Sequence, residues 1–87
     1  MIAYVLFNKN TPAERACEAW AERIKREQVE VELVDADSPR GIQLAENYDV
    51  LSRPAVILVG ANGPPVQSWD CQEGLPIPGD VAYLAHQ

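Results

Sequence analysis

"N-Y-D-V-L-S-R-P-A-V-I-L-V", residues 47 to 59, carries a Tyr-x-Val segment, then Arg53-Pro54, then an unbroken apolar run. Ala55 to Val59 is short, rich in β-branched residues and without polar alternation. That composition predicts a strand covered on both faces. A second run of the same kind, Ile2 to Phe7, opens the chain. Two such strands require layers above and below them, and the sequence between supplies candidates.

Working outward, the stretch after Phe7 changes period. Ala13, Ala16, Cys17, Trp20, Ala21 and Ile24 recur at steps of three and four, one stripe of a helix, with Glu22 and Arg26 placed as an i,i+4 pair. "VEVELV", residues 29 to 34, alternates Val29, Val31 and Leu33 against Glu30 and Glu32. This predicts a strand with one wet face, its acids discouraging edge-to-edge pairing. "DADSP" is a turn with Ser38 as N-cap and Pro39 at the first helical position, and a short helix follows through Ile42, Ala45 and Tyr48. Gly41 sits in its first turn, where helix propensity is poor.

After Val59, "GANGPP" is a turn cluster and "VQSWDC" a returning strand, so residues 55 to 71 form an antiparallel hairpin. Asp80 to His86 forms a terminal helix with Val81 and Leu84 inward. The order is β-α-β-α-β-β-α. A right-handed parallel crossover joins the first two strands, and the short connection forces the second pair antiparallel. The expected fold class is α/β: a four-stranded mixed sheet with helices on both faces, in a single domain spanning residues 1–87.

Composition narrows function. The 87-residue chain is 47% hydrophobic with a formal charge of −6, and phosphate binding needs a concentrated Lys/Arg surface. We therefore expect no nucleic-acid partner. Arg23, Lys25 and Arg26 read as a solvated helix face. No apolar run approaches the ~20 residues of a membrane-spanning helix, and the N-terminus does not read as a signal peptide. A cytoplasmic location with reduced thiols is the resulting expectation. The two cysteines, Cys17 and Cys71, stand far apart with no neighbouring His, so no zinc spacing is present. Metal binding is not expected. The carboxylates of "DADSP" serve turn and cap better than calcium.

The element order together with "NYDVLSRPAVILV" resembles the thioredoxin fold in its compact glutaredoxin form, over nearly the whole chain. The resemblance implies that Pro54 follows a cis peptide bond and faces an active-site groove. In that family the loop after the first strand leads into Cys-Pro-x-Cys at a helix start. Pro12 matches the motif's proline, which puts Thr11 and Glu14 where the two cysteines would stand, with Ala13 between. Neither residue has a sulfur, so dithiol exchange at this mouth is excluded. Thr11-x-x-Glu14 instead reads as a capping box, Thr11 accepting from the Glu14 N–H and Glu14 returning to the Thr11 N–H.

What remains is a groove between Thr11, Pro12, Ala13 and Glu14 on one side and Arg53 and Pro54 on the other. The resemblance implies an extended protein or peptide partner there. Arg53-Pro54 also resembles the arsenate-reductase-like branch in those two residues, which with the helix N-terminus suggests a small anion. Lys9 and Gly79-Asp80 are loose counterparts of a glutathione site, though the spacing around "CQEGLPIPGD" departs from it; no cofactor is expected otherwise.

The leading reading is a non-catalytic binding or adaptor module. The competing reading is a divergent glutaredoxin-like oxidoreductase acting through one cysteine. For that reading, Cys17 lies on the helical stripe one turn inside the mouth, and Cys71 ends the last strand in phase with Trp69, partly exposed. Trp20 reads as packing, Trp69 as core or an aromatic patch, and His86 as solvated.

Overall fold

A computed structural model describes residues 1–50, 54–60, 65–71 and 74–86. The elements are β1 (Ile2–Phe7), α1 (Pro12–Arg26), β2 (Glu30–Asp35), α2 (Pro39–Asn47), β3 (Ala55–Val59), β4 (Pro65–Asp70) and α3 (Pro78–Ala85). The four strands form one sheet in the order β2-β1-β3-β4. β1 runs parallel to β2 and antiparallel to β3, and β4 is antiparallel to β3. This is the mixed sheet that the element order predicts.

Each face of the sheet carries its own core. Ala3, Val5 and Phe7 from β1 and Val56 and Leu58 from β3 pack against Cys17, Trp20 and Ile24 of α1 and Val81 and Ala82 of α3. Leu6, Val34, Ala55, Ile57 and Val59 face the other way, against Leu44, Ala45 and Tyr48 at α2. The central strand β3 is buried at every position, as its lack of alternation predicts. Period two along the strands thus sorts one chain into two apolar layers.

Several local expectations shift. The inward face of α2 is Gly41, Leu44, Ala45 and Tyr48, while Ile42 is 45% exposed. Gly41 explains the rotation: a Cβ there would lie 2.1 Å from the Asp35 carbonyl oxygen, so α2 crosses β2 at a point where only glycine fits. Ser38 caps α2 as expected, its Oγ accepting from the Gly41 N–H at 3.0 Å. In α1, Ala16 faces solvent, and Glu22 pairs with Lys25 at 3.5 Å rather than with Arg26.

β2 starts at Glu30, one residue later than the alternation suggests. On it Val34 is buried, whereas Leu33 is 38% exposed, because β2 lies at the sheet's edge. Helix α3 begins at Pro78 rather than Asp80, the pre-set φ of proline serving as its first turn. His86 is not simply solvated: its Nε2 lies 2.8 Å from the Glu27 carbonyl oxygen, tying the end of α3 to the end of α1. Trp20 anchors the same layer, its indole N–H donating to the Pro76 carbonyl at 2.7 Å.

Candidate functional site at the start of helix α1

The sheet register brings the separate pieces of the expected groove to one end of the molecule. Leu6 stands opposite Ala55 in the antiparallel β1–β3 ladder, so one step further sets Pro54 beside Phe7, where β1 hands over to the α1 mouth. Pro54 is half-buried. Its carbonyl accepts from the Cys71 N–H at 3.1 Å, which continues the β3–β4 ladder. Thr11, Pro12, Ala13, Glu14 and Pro54 therefore share a sheet end, although long stretches of chain separate them. Arg53, and with it the peptide bond before Pro54, lies outside the described residues.

The mouth is built differently from a capping box. Thr11 is the N-cap residue in extended conformation, but its side chain makes no cap hydrogen bond. Its hydroxyl donates backward instead, to the Asn8 carbonyl at 2.6 Å. The Glu14 N–H goes to the Thr11 backbone carbonyl at 3.1 Å. Between them Asn10 has φ of 63°, the left-handed conformation that asparagine adopts more readily than most residues. The tight turn at Asn8–Thr11 claims the hydroxyl before the helix can use it. Pro12, with no N–H, still fits at the first helical position.

Asn8 is a feature that the sequence reading passed over. Its Oδ1 is buried and has no hydrogen-bond partner among the described residues. A buried acceptor without a donor carries a desolvation cost of about 1–3 kcal/mol, and such groups call for a water or a ligand to complete them. The available signal was an asparagine placed where an apolar strand ends.

Both thiols are internal. Cys17 is fully buried and Cys71 is 2% exposed, so the partial exposure expected for Cys71 does not hold. The strand phase is as expected, with Trp69 packing against the same cluster as Cys71, but α1 and α3 close over it. Burial raises the Cys17 thiol pKa. Burial chiefly, aided by charge on Cys17 and Asp70 against a backbone hydrogen bond at Val56, pushes the Cys71 thiol up to about 11. The Cys71 Sγ also lies 3.5 Å from the Trp69 carbonyl. Thiolates attack and thiols do not, so this placement opposes nucleophilic chemistry near neutral pH.

Pro54, immediately ahead of the buried β3, thus shares a sheet end with the N-terminus of α1, and the fold that sets them there has known counterparts. A solved structure described as that of a malarial protein superposes with a TM-score of 0.69 at 20% identity, covering 95% of this chain and 90% of that one. Thioredoxin 1 from the thermophilic eubacterium Thermosipho africanus superposes with a TM-score of 0.69 at 14% identity, covering 99% and 91%. The fold is the thioredoxin fold. No family model matches the sequence, and no curated protein matches it. At such identities the likeness speaks to the fold alone, because one scaffold carries many chemistries.

Other side chains singled out in the sequence serve the turn that leads into α2. Asp35 and Asp37 belong to the turn into α2, with the Asp37 N–H on Asp35 Oδ1 at 3.0 Å and the Ser38 hydroxyl on the Asp35 carbonyl at 2.6 Å. No three His, Cys, Asp or Glu side chains gather as a metal site among the described residues. No helix among them is long and apolar enough to cross a membrane.

Proposed function

We propose that this thioredoxin-fold domain is a binding or adaptor module that works without dithiol exchange. Its site is the groove between Thr11–Glu14 and the Arg53-Pro54 segment, and it takes an extended peptide of a protein partner. The observation that carries this reading is the combination at one sheet end. Pro54 and the α1 mouth are brought together by register, the mouth presents Thr11 and Glu14 in place of sulfur, and both cysteines lie buried behind it. Glu14 in the first turn of α1 opposes a small anion at the helix N-terminus, so a neutral peptide backbone suits the groove better than phosphate or glutathione. We place the protein in the cytoplasm with its thiols reduced, the state in which two unlinked buried cysteines persist.

The competing oxidoreductase reading needs Cys17 or Cys71 to reach solvent as a thiolate. One pair of measurements separates the two. Native protein is labelled with a thiol reagent at neutral pH, and glutathione-dependent disulfide reduction is assayed in parallel. Slow labelling that accelerates only on unfolding, with no turnover, supports the binding module. A fast-reacting thiol with turnover abolished by Cys17→Ser or Cys71→Ser overturns it. Titration with an extended peptide, with reduced glutathione and with phosphate then reads the amides of Ala13, Glu14 and Ala55. Movement with the peptide supports the groove, and movement with phosphate alone reassigns it to anion binding.

A further inference from the structure

The two sheet edges are finished differently. β4 begins with Pro65, and its ladder to β3 is irregular at Leu58/Val59, two features that blunt an edge against further pairing. β2 has neither. It is regular from Glu30 to Asp35, pairs on one side only, and leaves its other side unpartnered among the described residues. Two hollows lie beside that free side. On the α1 side a groove of about 530 Å³ runs between Arg15, Ala19 and Lys25 of the helix and Val31 and Leu33 of the strand. A second groove of about 540 Å³ wraps the Glu30 end of the strand, lined by Ile2, Tyr4, Glu32 and Arg40 together with Lys25 and Val31. Hollows flanking a free strand leave room for the alternating side chains of a neighbouring strand.

We infer that the free edge of β2 receives a fifth strand from a protein partner, apolar on the side facing α1 and carrying a lysine or arginine beside Glu30. Val31 and Leu33 offer the apolar half: they point to the helix side yet stay half-buried and 38% exposed respectively. The charges around the edge select the other half. Arg40 is engaged by Glu32, one guanidinium nitrogen at 2.8 Å, and lies over the Tyr4 ring at 5.6 Å. Lys25 is engaged by Glu22. Arg15 and Glu18 lie together on the α1 rim and balance in sign. Glu30 is exposed and has no ion pair among the described residues, in a chain whose formal charge is −6. A cation directly across from it is a favourable cross-strand pair. A second copy of β2 would instead bring Glu30 and Glu32 toward their own kind.

The test uses a capped, strand-length peptide alternating valine with lysine, added to the full chain and followed by amide chemical shifts. The expected result is saturable movement of the Glu30–Asp35 amides at millimolar peptide. Affinity should fall about fivefold in Glu30→Lys. Binding should be lost when alternate backbone nitrogens of the peptide are methylated, which keeps its charge and removes its ladder. A glutamate–valine peptide should bind more weakly. The inference is overturned by an absence of β2 shifts, by equal binding of the methylated peptide, or by movement confined to the α1 mouth. It is also overturned if the β2 amides shift with protein concentration alone, the result expected of self-pairing.

Discussion

The Thr11 hydroxyl faces back along the chain to Asn8 rather than forward into α1, and this choice sets what mutations should do. Thr11→Val should destabilise the fold by about 1 kcal/mol, because the Asn8 carbonyl loses its donor, and Thr11→Ser should recover most of it. Glu14→Ala should cost no more than the few tenths of a kcal/mol that an acid contributes to a helix N-terminus. A capping box would make both changes costly, so chemical denaturation of the three variants distinguishes the two arrangements.

Cys71 makes a second residue-level prediction. Below the ordinary thiol pKa of 9.0, folded and unfolded chains both keep the proton, and stability is unaffected. Between about 9 and about 11 the unfolded chain ionises while the buried thiol does not, so the folded state binds more protons and stability falls as pH rises. The loss amounts to about 2 kcal/mol across that window. Cys71→Ala should flatten the decline, as measured by denaturant midpoints at successive pH values in the two proteins.

At the scale of elements, α2 shows how packing overrides propensity. Alanine is a better helix former than glycine by about 1 kcal/mol, yet Gly41→Ala would press a methyl against the Asp35 carbonyl and the Ala36 Cα, at 2.1 and 2.9 Å. The expected outcome is a net loss of roughly 2 kcal/mol or more, read as a lowered thermal midpoint, with the α2 and β2 amides exchanging faster. A neutral or stabilising result would mean that α2 stands off the strand. The helical periods of α1 and α2 were legible in sequence, but the rotation that exposes Ile42 was not. A helix shows its own stripe, whereas the element it crosses decides which part of that stripe goes inward. β2 repeats the lesson, since alternation marks Val31 and Leu33 as dry, and only edge position leaves them partly wet.

For the molecule as a whole, two apolar layers share one sheet, so neither face has a separate framework to retain if the other opens. Trp20 and Trp69 both report on the α1–α3 side, while far-UV circular dichroism reports on all helices and strands together. Their denaturant transitions should coincide within error, as for a single cooperative unit. A tryptophan transition preceding the loss of secondary structure would show that the α1–α3 layer loosens on its own.

By itself the sequence determined the order of elements, the mixed sheet they form, the proline just ahead of the buried third strand and the lack of sulfur at the helix mouth. These follow from period, turn chemistry and residue identity, all of which are local. Only the tertiary structure decided the burial of Cys71, the direction of the Thr11 hydroxyl, the Trp20–Pro76 and His86–Glu27 contacts and, among the described residues, the unpartnered Asn8 oxygen and the open edge of β2. Each of those depends on which atoms from distant parts of the chain arrive within a few ångströms of one another. The pairing of strands fixes that, and no single stretch of sequence contains it.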